Sequence, residues 1–337
     1  MKVCIYGVGA IGGFIGTRLG LAGDCTVSAV ARGPTLAALQ GHGLRLRQGG
    51  ELFSTPVRAS DDPATLGVQD LVLIAVKGPA LPEVAARIGP LLGPHTLVLP
   101  AMNGVPWWFG AGHPALGDPA LAPLQSIDPG GRIAAAIPLA QVIGCVVHAS
   151  TFTSAPGLVE HKMGRGLILG EPAGGGSARV QALADVLQRA GFEATVSADV
   201  RRDIWYKLWG NMTMNPITAI TGATVDRVLD DPLACGFCTA AMAEAAAVGA
   251  RIGCTIDQTP EDRHNVTRKL GAFKTSMLQD VEAGRTIELD ALVTVVREIA
   301  QRVGVATPFI DALLGLARLH ARVHGLYPAA TPAATPA

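Results

Sequence analysis

Apolar residues come in short runs through the first 200 positions and at helical spacing after that. Residues 2–6, KVCIY, are β-prone and lead directly into Gly7, Gly9 and Gly12, followed by a helical stretch to about Leu21. CTVSAVAR predicts a second strand ending near Ala31, and LVLIAV (71–76) and TLVLP (96–100) predict two more. Between those two, GPALPEVAARIGPLLG reads as a helix with proline near its start. Strand alternating with helix predicts an α/β fold with a Rossmann-type doubly wound parallel sheet. IGCVVHASTFTSAPGLVEH and GRGLILGEP, with turn residues between them, predict an antiparallel addition to that sheet. A helix over 177–190 and the short strand FEATV close a first domain, residues 1–198. Residues 199–326 keep helical periodicity throughout and predict an all-helical second domain. YPAATPAATPA, 327–337, has the composition of a disordered tail.

Within the helical half, DIWYKLWGNMTMNP (203–216) sets Lys207, Asn211 and Asn215 at steps of four, within about 80° of one another on a helix. Ile204, Trp205, Leu208 and Met212 occupy the adjoining flank, so the polar stripe borders a buried face. Pro216 removes a backbone N–H, and the helix is expected to kink or end there. The plain alternative is a lysine that snorkels beside solvated asparagines.

Lys plus Arg and Asp plus Glu number 27 each, and 49% of residues are hydrophobic, enough for two cores. That charge balance argues against nucleic acid or an anionic membrane as partner and points to small ligands. The start, MKVCIYGVGAIGGFIG, imitates a secretory signal. It is glycine-rich, however, lacks an A-x-A site and reaches Arg18 too early for a membrane span, so a cytoplasmic protein is expected. A homodimer is compatible with the chain but not fixed by it. Cys235 and Cys238 form a C-x-x-C with no second pair to complete a zinc site. The alanine-rich surroundings read as the body of a helix, with both thiols used in packing.

GVGAIG (Gly7, Val8, Gly9, Ala10, Ile11, Gly12) matches G-x-G-x-x-G at a strand-to-helix junction, with a second strand at the βαβ distance. Gly7 suits the tight turn, Gly9 a close approach to pyrophosphate, and Gly12 tight helix–strand packing. The helix N-terminus supplies N–H donors to the phosphates. Where an NAD enzyme carries an acid after the second strand, this chain has Arg32, which suits a 2′-phosphate and hence NADPH. Lys77 and Asn103 follow predicted strands at the carboxyl edge, where ligands of open sheets collect. Ser276 and Glu288 lie in KTSMLQDVEAGRTIELDALVTVV, with Glu288 and Asp290 in what reads as the first turn of a helix, where acids are ordinary. His148, inside an apolar strand, is read as a core histidine ahead of a catalytic base.

These segments together resemble the ketopantoate reductase family (2-dehydropantoate 2-reductases). GVGAIG, VAR, AVK, MNG, WYKLWGNMTMNPITAI and SMLQDVEAGRTIELD carry the likeness over most of residues 1–326, the last two being the most diagnostic. The resemblance implies NADPH-dependent reduction of a small 2-oxo acid, ketopantoate, to pantoate. It implies Lys207 as proton donor to the substrate carbonyl and Glu288 as holder of the substrate hydroxyl. Asn211, Asn215 and Ser276 become substrate contacts, and Asn103 lies between nicotinamide and substrate. Arg32 and Lys77 hold the adenosine phosphate and ribose. A lysine, with an ordinary pKa near about 10.4, is a reluctant donor, and burial between Trp205 and Trp209 is expected to make it a better one. The family's further asparagine is missing from TGATVDRV, and the stretch around 105–131 has no assigned role. Rival readings are a reductase of a different 2-oxo or 3-hydroxy acid, and a non-catalytic NADPH sensor that leaves Lys207 and Glu288 without work.

Overall fold

A computed structural model describes residues 1–116 and 123–329. The chain divides into two compact units, Met1–His113 with Gly117–Ile204, and Pro114–Leu116 with Trp205–Ala337. The division therefore falls inside a helix, six residues beyond the position expected from the sequence.

The first unit begins β1 (Lys2–Tyr6), α1 (Ala10–Ala22), β2 (Thr26–Val30) and α2 (Gly33–His42). Next come β3 (Leu44–Gln48), β4 (Glu51–Thr55), β5 (Arg58–Ser60) and β6 (Leu71–Ile74), followed by α3 (Leu81–Arg87), β7 (Leu97–Pro100) and α4 (Arg132–Ala136). The long hairpin of β8 (Gly144–Ala155) and β9 (Leu158–Gly170), then α5 (Ala178–Arg189) and β10 (Glu193–Val196), complete it. β5-β2-β1-β6-β7 form an all-parallel sheet, as the alternation of strand and helix predicts.

The second extended region differs from expectation in two ways. The hairpin turns at Pro156–Gly157, so LVEH belongs to β9 and not to the first strand. The hairpin also does not extend the parallel sheet. It founds a second sheet, β10-β9-β3-β4 with β8 on the far side of β9, completed by a β3–β4 hairpin that the sequence pattern did not reveal. The first sheet meets this stretch at the Val98–Val142 bridge ahead of β8, where the Ile143 N–H donates to the Val98 carbonyl (2.9 Å). His148 on β8 is exposed and not in the core, beside a register shift at His148/Ser150.

The two sheets explain the composition of α1. Its backbone lies against β1 on one side and against β9 on the other. A Cβ on Gly12 would fall 2.1 Å from the Gly7 carbonyl oxygen and 3.1 Å from Ile5 on β1, while one on Gly13 would fall 2.6 Å from a Val159 methyl on β9. Phe14 and Ile15 are fully buried in the same cluster as Val159, Leu167 and Leu187. A helix covered on both faces needs no polar stripe, which is why GGFIG carries none.

The region without a role from sequence is partly core. Trp107, Trp108 and Phe109 are buried, and buried Asp128 accepts the N–H groups of Ile133 (2.8 Å) and Ala134 (3.0 Å) at the start of α4. Such a cap satisfies donors that otherwise lack partners.

The second unit is helical. α6 (Val200–Thr221) crosses into it, followed by α7 (Val225–Asp230), α8 (Pro232–Arg251), α9 (Pro260–Arg268) and α10 (Ser276–Glu282). A π-helical turn (Asp290–Thr294) then feeds α11 (Val295–Val303), and α12 (Pro308–Val323) ends the unit. α6 does not end at Pro216 but continues to Thr221. The turn that lacks the proline's N–H is buried: Ile217, Thr218 and Ala219 are all out of contact with solvent or nearly so, and the Thr218 hydroxyl donates to the Met214 carbonyl at 2.8 Å. Packing there overrides the local preference to break. By length and composition alone α8 could cross a membrane. In this fold its buried positions, Ala241, Met242 and Ala245 among them, belong to the core. Tyr327, assigned to the tail by sequence, is half-buried and donates to Asp290 at 2.6 Å, whereas residues 330–337 lie outside the described residues.

The contact between Gly13 and Val159 yields a stability prediction. Gly13→Ala should lower unfolding free energy by about 1–3 kcal/mol, the usual cost of overpacking. The double variant with Val159→Ala should be less destabilised than the sum of the single changes. Urea melts of the four proteins in the cycle measure both; strict additivity would mean that the two residues do not press on each other.

Candidate functional site

In the first unit Gly7, Val8, Gly9 and Arg32, of the predicted cofactor residues, line a cleft at the turn from β1 to α1. The Gly7 N–H donates to the Val30 carbonyl (3.2 Å), and Gly7 has φ +94°, a conformation open to glycine. A side chain there would strike Val76, its Cβ 2.6 Å from a valine methyl. Gly9 is the N-cap of α1 and differs in kind: its missing Cβ would meet nothing within 4 Å. The space it leaves belongs to a cleft of about 350 Å³ lined by Gly7, Val8, Gly9, Tyr6, Arg32, Glu83 and Arg87 among others. The first turn of α1 contains no acidic residue, so nothing there opposes an anion drawn by the helix dipole.

Ala10, Ile11 and Gly12 form that first turn and are not among the wall residues of the cleft. Lys77 is half-buried, at the N-cap of a short 3-10 turn (Gly78–Ala80) beyond β6, and Asn103 is half-buried beyond β7. Both stand at the carboxyl edge of the parallel sheet without lining this cleft.

Arg32 stands at the rim, at the N-cap of α2, and donates to the Glu83 carboxylate at 2.6 Å. Glu83 also lies 3.8 Å from Arg87 one turn further along α3, so a single carboxylate sits between two guanidinium groups. Neither Glu83 nor Arg87 was singled out from the sequence. Their i, i+4 spacing was visible, but it reads as an ordinary helix-surface pair, and nothing local shows that α3 turns this face toward Arg32. On the floor, Tyr6 is 6% exposed, and burial, modulated chiefly by Arg87, pushes its phenol above the usual range. At neutral pH it is an uncharged donor.

The residues fit a dinucleotide carrying a further phosphate. The βα turn is open at Gly9, the first turn of α1 carries no acid, and two cations that share the Glu83 carboxylate stand beside the rim.

In the second unit Lys207, Asn211 and Asn215 share one stripe of α6, as predicted. Lys207 and Asn211 are half-buried, and Asn215 is 5% exposed. The tryptophans do not cage the lysine. At 100° per residue Trp205 and Trp209 leave the helix about 160° from Lys207, on the opposite side. Their indole N–H groups donate to α8, Trp205 to the Ala245 carbonyl (3.2 Å) and Trp209 to Met242 (2.7 Å). They set the distance and rotation of α6 on α8, and so fix which way the polar stripe points.

Ser276 opens α10 and is exposed. Its neighbour Thr275 caps that helix and meets Thr218 of α6 hydroxyl to hydroxyl at 2.7 Å, which ties the start of α10 to the turn after Asn215. Glu288 is not in a helical first turn. It lies in the irregular segment ahead of the π-helical turn, half-buried between fully buried Ile287 and Leu289. That segment is pinned at both ends. The Ile287 N–H donates to the Leu326 carbonyl (3.0 Å), and Asp290 accepts from Tyr327 and from Thr294 (3.0 Å). Asp290 is thus a structural acceptor, and burial together with its carboxylate holds the Tyr327 phenol well above its ordinary range.

The family pattern described as ketopantoate reductase PanE/ApbA matches residues 3–115, and the one described as its C terminal matches 199–321. A 2-dehydropantoate 2-reductase from Mesorhizobium japonicum is 43% identical over 329 residues, 97% of this chain and 100% of that protein. The chain belongs to the ketopantoate reductase family. A solved ketopantoate reductase-type structure from Ralstonia solanacearum MolK2 has 57% identity, a TM-score of 0.91, and coverage of 96% of this chain and 99% of its own. A D-mandelate dehydrogenase solved with NADH and anilino(oxo)acetate shares the fold at 21% identity, with a TM-score of 0.81 over 97% and 100% of the two chains.

The open space at Gly9 sets an expectation for this reductase-family site. Gly9→Ala should leave the thermal midpoint essentially unchanged, because the added methyl touches no protein atom. It should weaken NADPH binding at least about tenfold, by filling the place where a phosphate approaches the backbone. Thermal melts and a fluorescence titration with NADPH check the two halves, and unweakened binding would detach the turn from the nucleotide.

Proposed function

We propose that this chain reduces 2-dehydropantoate (ketopantoate) to pantoate with NADPH, the reductive step toward pantothenate and coenzyme A. The observation that carries the reading is the 43% identity, over nearly the full length, to a 2-dehydropantoate 2-reductase. The cleft at the β1–α1 turn supports the cofactor half of it. Its substrate is a small 2-oxo acid, in keeping with a chain of balanced charge.

In this reading the N–H groups at the start of α1 take the pyrophosphate, and Arg32 takes the 2′-phosphate. Lys77 and Asn103 hold the ribose and the nicotinamide end. When bound, NADPH supplies a hydride from C4 of its dihydronicotinamide to the substrate carbonyl carbon. Lys207 donates a proton to the carbonyl oxygen as alkoxide character develops. Asn211 and Asn215 position that oxygen and the carboxylate through neutral hydrogen bonds, which orient without adding charge. Glu288 accepts the substrate hydroxyl, and Ser276 adds a contact.

Magnitudes favour a 2′-phosphate over Glu83 for possession of Arg32. The Arg32–Glu83 pair is 63% and 48% exposed at its two side chains, and exposed pairs are worth about 0.2–1 kcal/mol. A charge-assisted bond to phosphate contributes about 1.5–3 kcal/mol. The phosphate displaces the carboxylate, and Glu83 reduces the net gain.

The alternative of a different 2-oxo acid rests on one observation. TGATVDRV lacks the family's further asparagine, and Thr224 there precedes α7 with its hydroxyl bonded to Asp226. Fold alone does not choose among substrates.

Purified protein should oxidise NADPH with ketopantoate, followed at 340 nm, in preference to other 2-oxo acids. Lys207→Ala should bind NADPH normally and lose about 10²–10⁴ in kcat. A panel in which ketopantoate is not preferred would move the reading to another acid, and an undiminished kcat would remove Lys207 from the chemistry.

The Arg32–Glu83 pair gives a second test. Arg32→Asp should shift the NADPH to NADH ratio of kcat/KM toward NADH by about tenfold or more. Glu83→Gln should lower the KM for NADPH by up to about fivefold, the equivalent of one exposed ion pair. Ratios unmoved in both variants would make this pair a surface contact only.

A further inference from the structure

α9 carries two arginines that the helical unit treats differently. Its N-terminus is fixed by the Thr259–Asp262 capping box, and His264, 1% exposed, seats the helix in the core. Arg263 and Arg268 leave it about 140° apart. Arg268 is satisfied in the ordinary way, by the Glu261 carboxylate (3.0 Å), the Asn265 side chain (3.2 Å) and the Leu229 carbonyl (3.3 Å). Arg263 is not. Its guanidinium has no ion pair and no hydrogen bond among the described residues, and its Nε is buried without a partner.

The fold nevertheless holds that guanidinium in one place. It lies over the Tyr206 ring, 5.2 Å from the centroid, and the ring is itself tied through its hydroxyl to the Gln258 side chain at 2.8 Å. Its other support is the backbone of α6 at Gly210. A Cβ there would fall 2.8 Å from Nε and 3.1 Å from Nη2 of Arg263, so the missing side chain is what lets the guanidinium settle onto the helix.

Tyr206 and Gly210 are about one turn apart and border the Lys207 stripe. At 100° per residue they leave α6 about 100° and 60° from Lys207, on the side away from Asn211 and Asn215. Gly210 is three residues beyond Lys207, a spacing that makes two positions neighbours on a helix surface. The stripe is therefore flanked by neutral amides on one side and by a cation on the other. That cation is stacked, planar and has its donors unspent, and its fork matches a carboxylate. Leaving a buried N–H of a charged group without an acceptor is costly, and an incoming anion would remove that cost.

We propose that Arg263 receives the carboxylate of the 2-oxo acid and is a specificity-determining residue of the reductase, an assignment that rests on the reading of Lys207 as proton donor. A 2-oxo acid carries its carboxylate on the carbon next to the reacting carbonyl, so a cation for the one belongs beside the proton donor for the other. α6 supplies that pairing. Lys207 serves the carbonyl oxygen, the guanidinium on Gly210 takes the carboxylate, and Asn211 and Asn215 fix the geometry from the opposite flank. Arg263 adds charge where those amides add none. It therefore favours an acid over its uncharged derivatives and acts on substrate binding more than on the hydride step.

Calorimetric titration of ketopantoate into the full-length enzyme loaded with NADP⁺ reads binding without turnover. Wild type should bind it, and Arg263→Met should raise the dissociation constant at least about tenfold, as expected for loss of a charge-assisted bond to a carboxylate. Gly210→Ala, which keeps the charge but displaces it, should weaken binding in the same direction. Arg263→Lys should recover part of the loss, because it restores charge without the fork. In steady-state assays the KM for ketopantoate should rise in Arg263→Met with kcat changing far less, and the methyl ester of ketopantoate should respond much less than the acid. Wild type that binds ketopantoate while Arg263→Met and Gly210→Ala bind it equally well overturns the assignment and leaves the reductase reading standing. An ester affected as strongly as the acid makes Arg263 a structural residue and also overturns it. Wild type that binds no ketopantoate removes both readings.

Discussion

The structure of the first unit depends on how closely the backbone of α1 approaches its neighbours. A helix normally stands off from a sheet by the length of its side chains, about 10 Å between axes and planes. Here glycines at 12 and 13 let α1 lie against the side chains of Ile5 on β1 and Val159 on β9 with no side chain of its own between at those points. That approach draws the N-terminus of the helix down to the end of β1, where Gly7 makes the turn and Gly9 leaves room for a ligand. Helix insertion and phosphate site are therefore one constraint. Any bulk that lifts α1 off β1 also moves the N–H groups that would meet a phosphate, which is why a packing change and a binding change are hard to separate at Gly12 and easy to separate at Gly9.

The second unit solves a related problem with aromatic residues. A polar stripe on a largely buried helix is useful only if the helix cannot roll. Two indole N–H bonds to successive turns of α8 suppress that roll, and each indole brings a large buried surface with it. The crowding of rings around Lys207 in the sequence is thus a matter of helical phase. The two indoles and the lysine are neighbours along the chain and near-opposites around the axis. The Glu288 segment is fixed by comparable means, a main-chain bond to Leu326 and the Tyr327–Asp290–Thr294 set, so the last described turn of the chain contributes to holding an acidic side chain forty residues earlier.

Much of this was legible in the sequence, and the misses have physical causes. The four apolar runs at 2–6, 26–31, 71–76 and 96–100 all became parallel strands because each is buried on both faces, which leaves a continuous signal. The β3–β4 hairpin escaped notice because its strands are only partly covered and LRLRQ and ELFST mix charge with apolar residues. The turn at 156–157 was passed over because β8 and β9 are long, with exposed middles that blur the boundary. Periodicity placed Lys207, Asn211 and Asn215 on one face but gave no sign that Pro216 would be carried through, since the burial that carries it comes from residues distant in sequence. Arg32 was visible at a strand end. Glu83 was not, because its relation to Arg32 exists only once α3 has docked.

The electrostatics at the rim of the nucleotide cleft is built for exchange. At the rim, two guanidinium groups are exposed and share one carboxylate. Water screens them, the pair is weak, and a stronger anion can displace the carboxylate without leaving a buried charge uncompensated. Exposure makes that arrangement exchangeable, as a cofactor site requires.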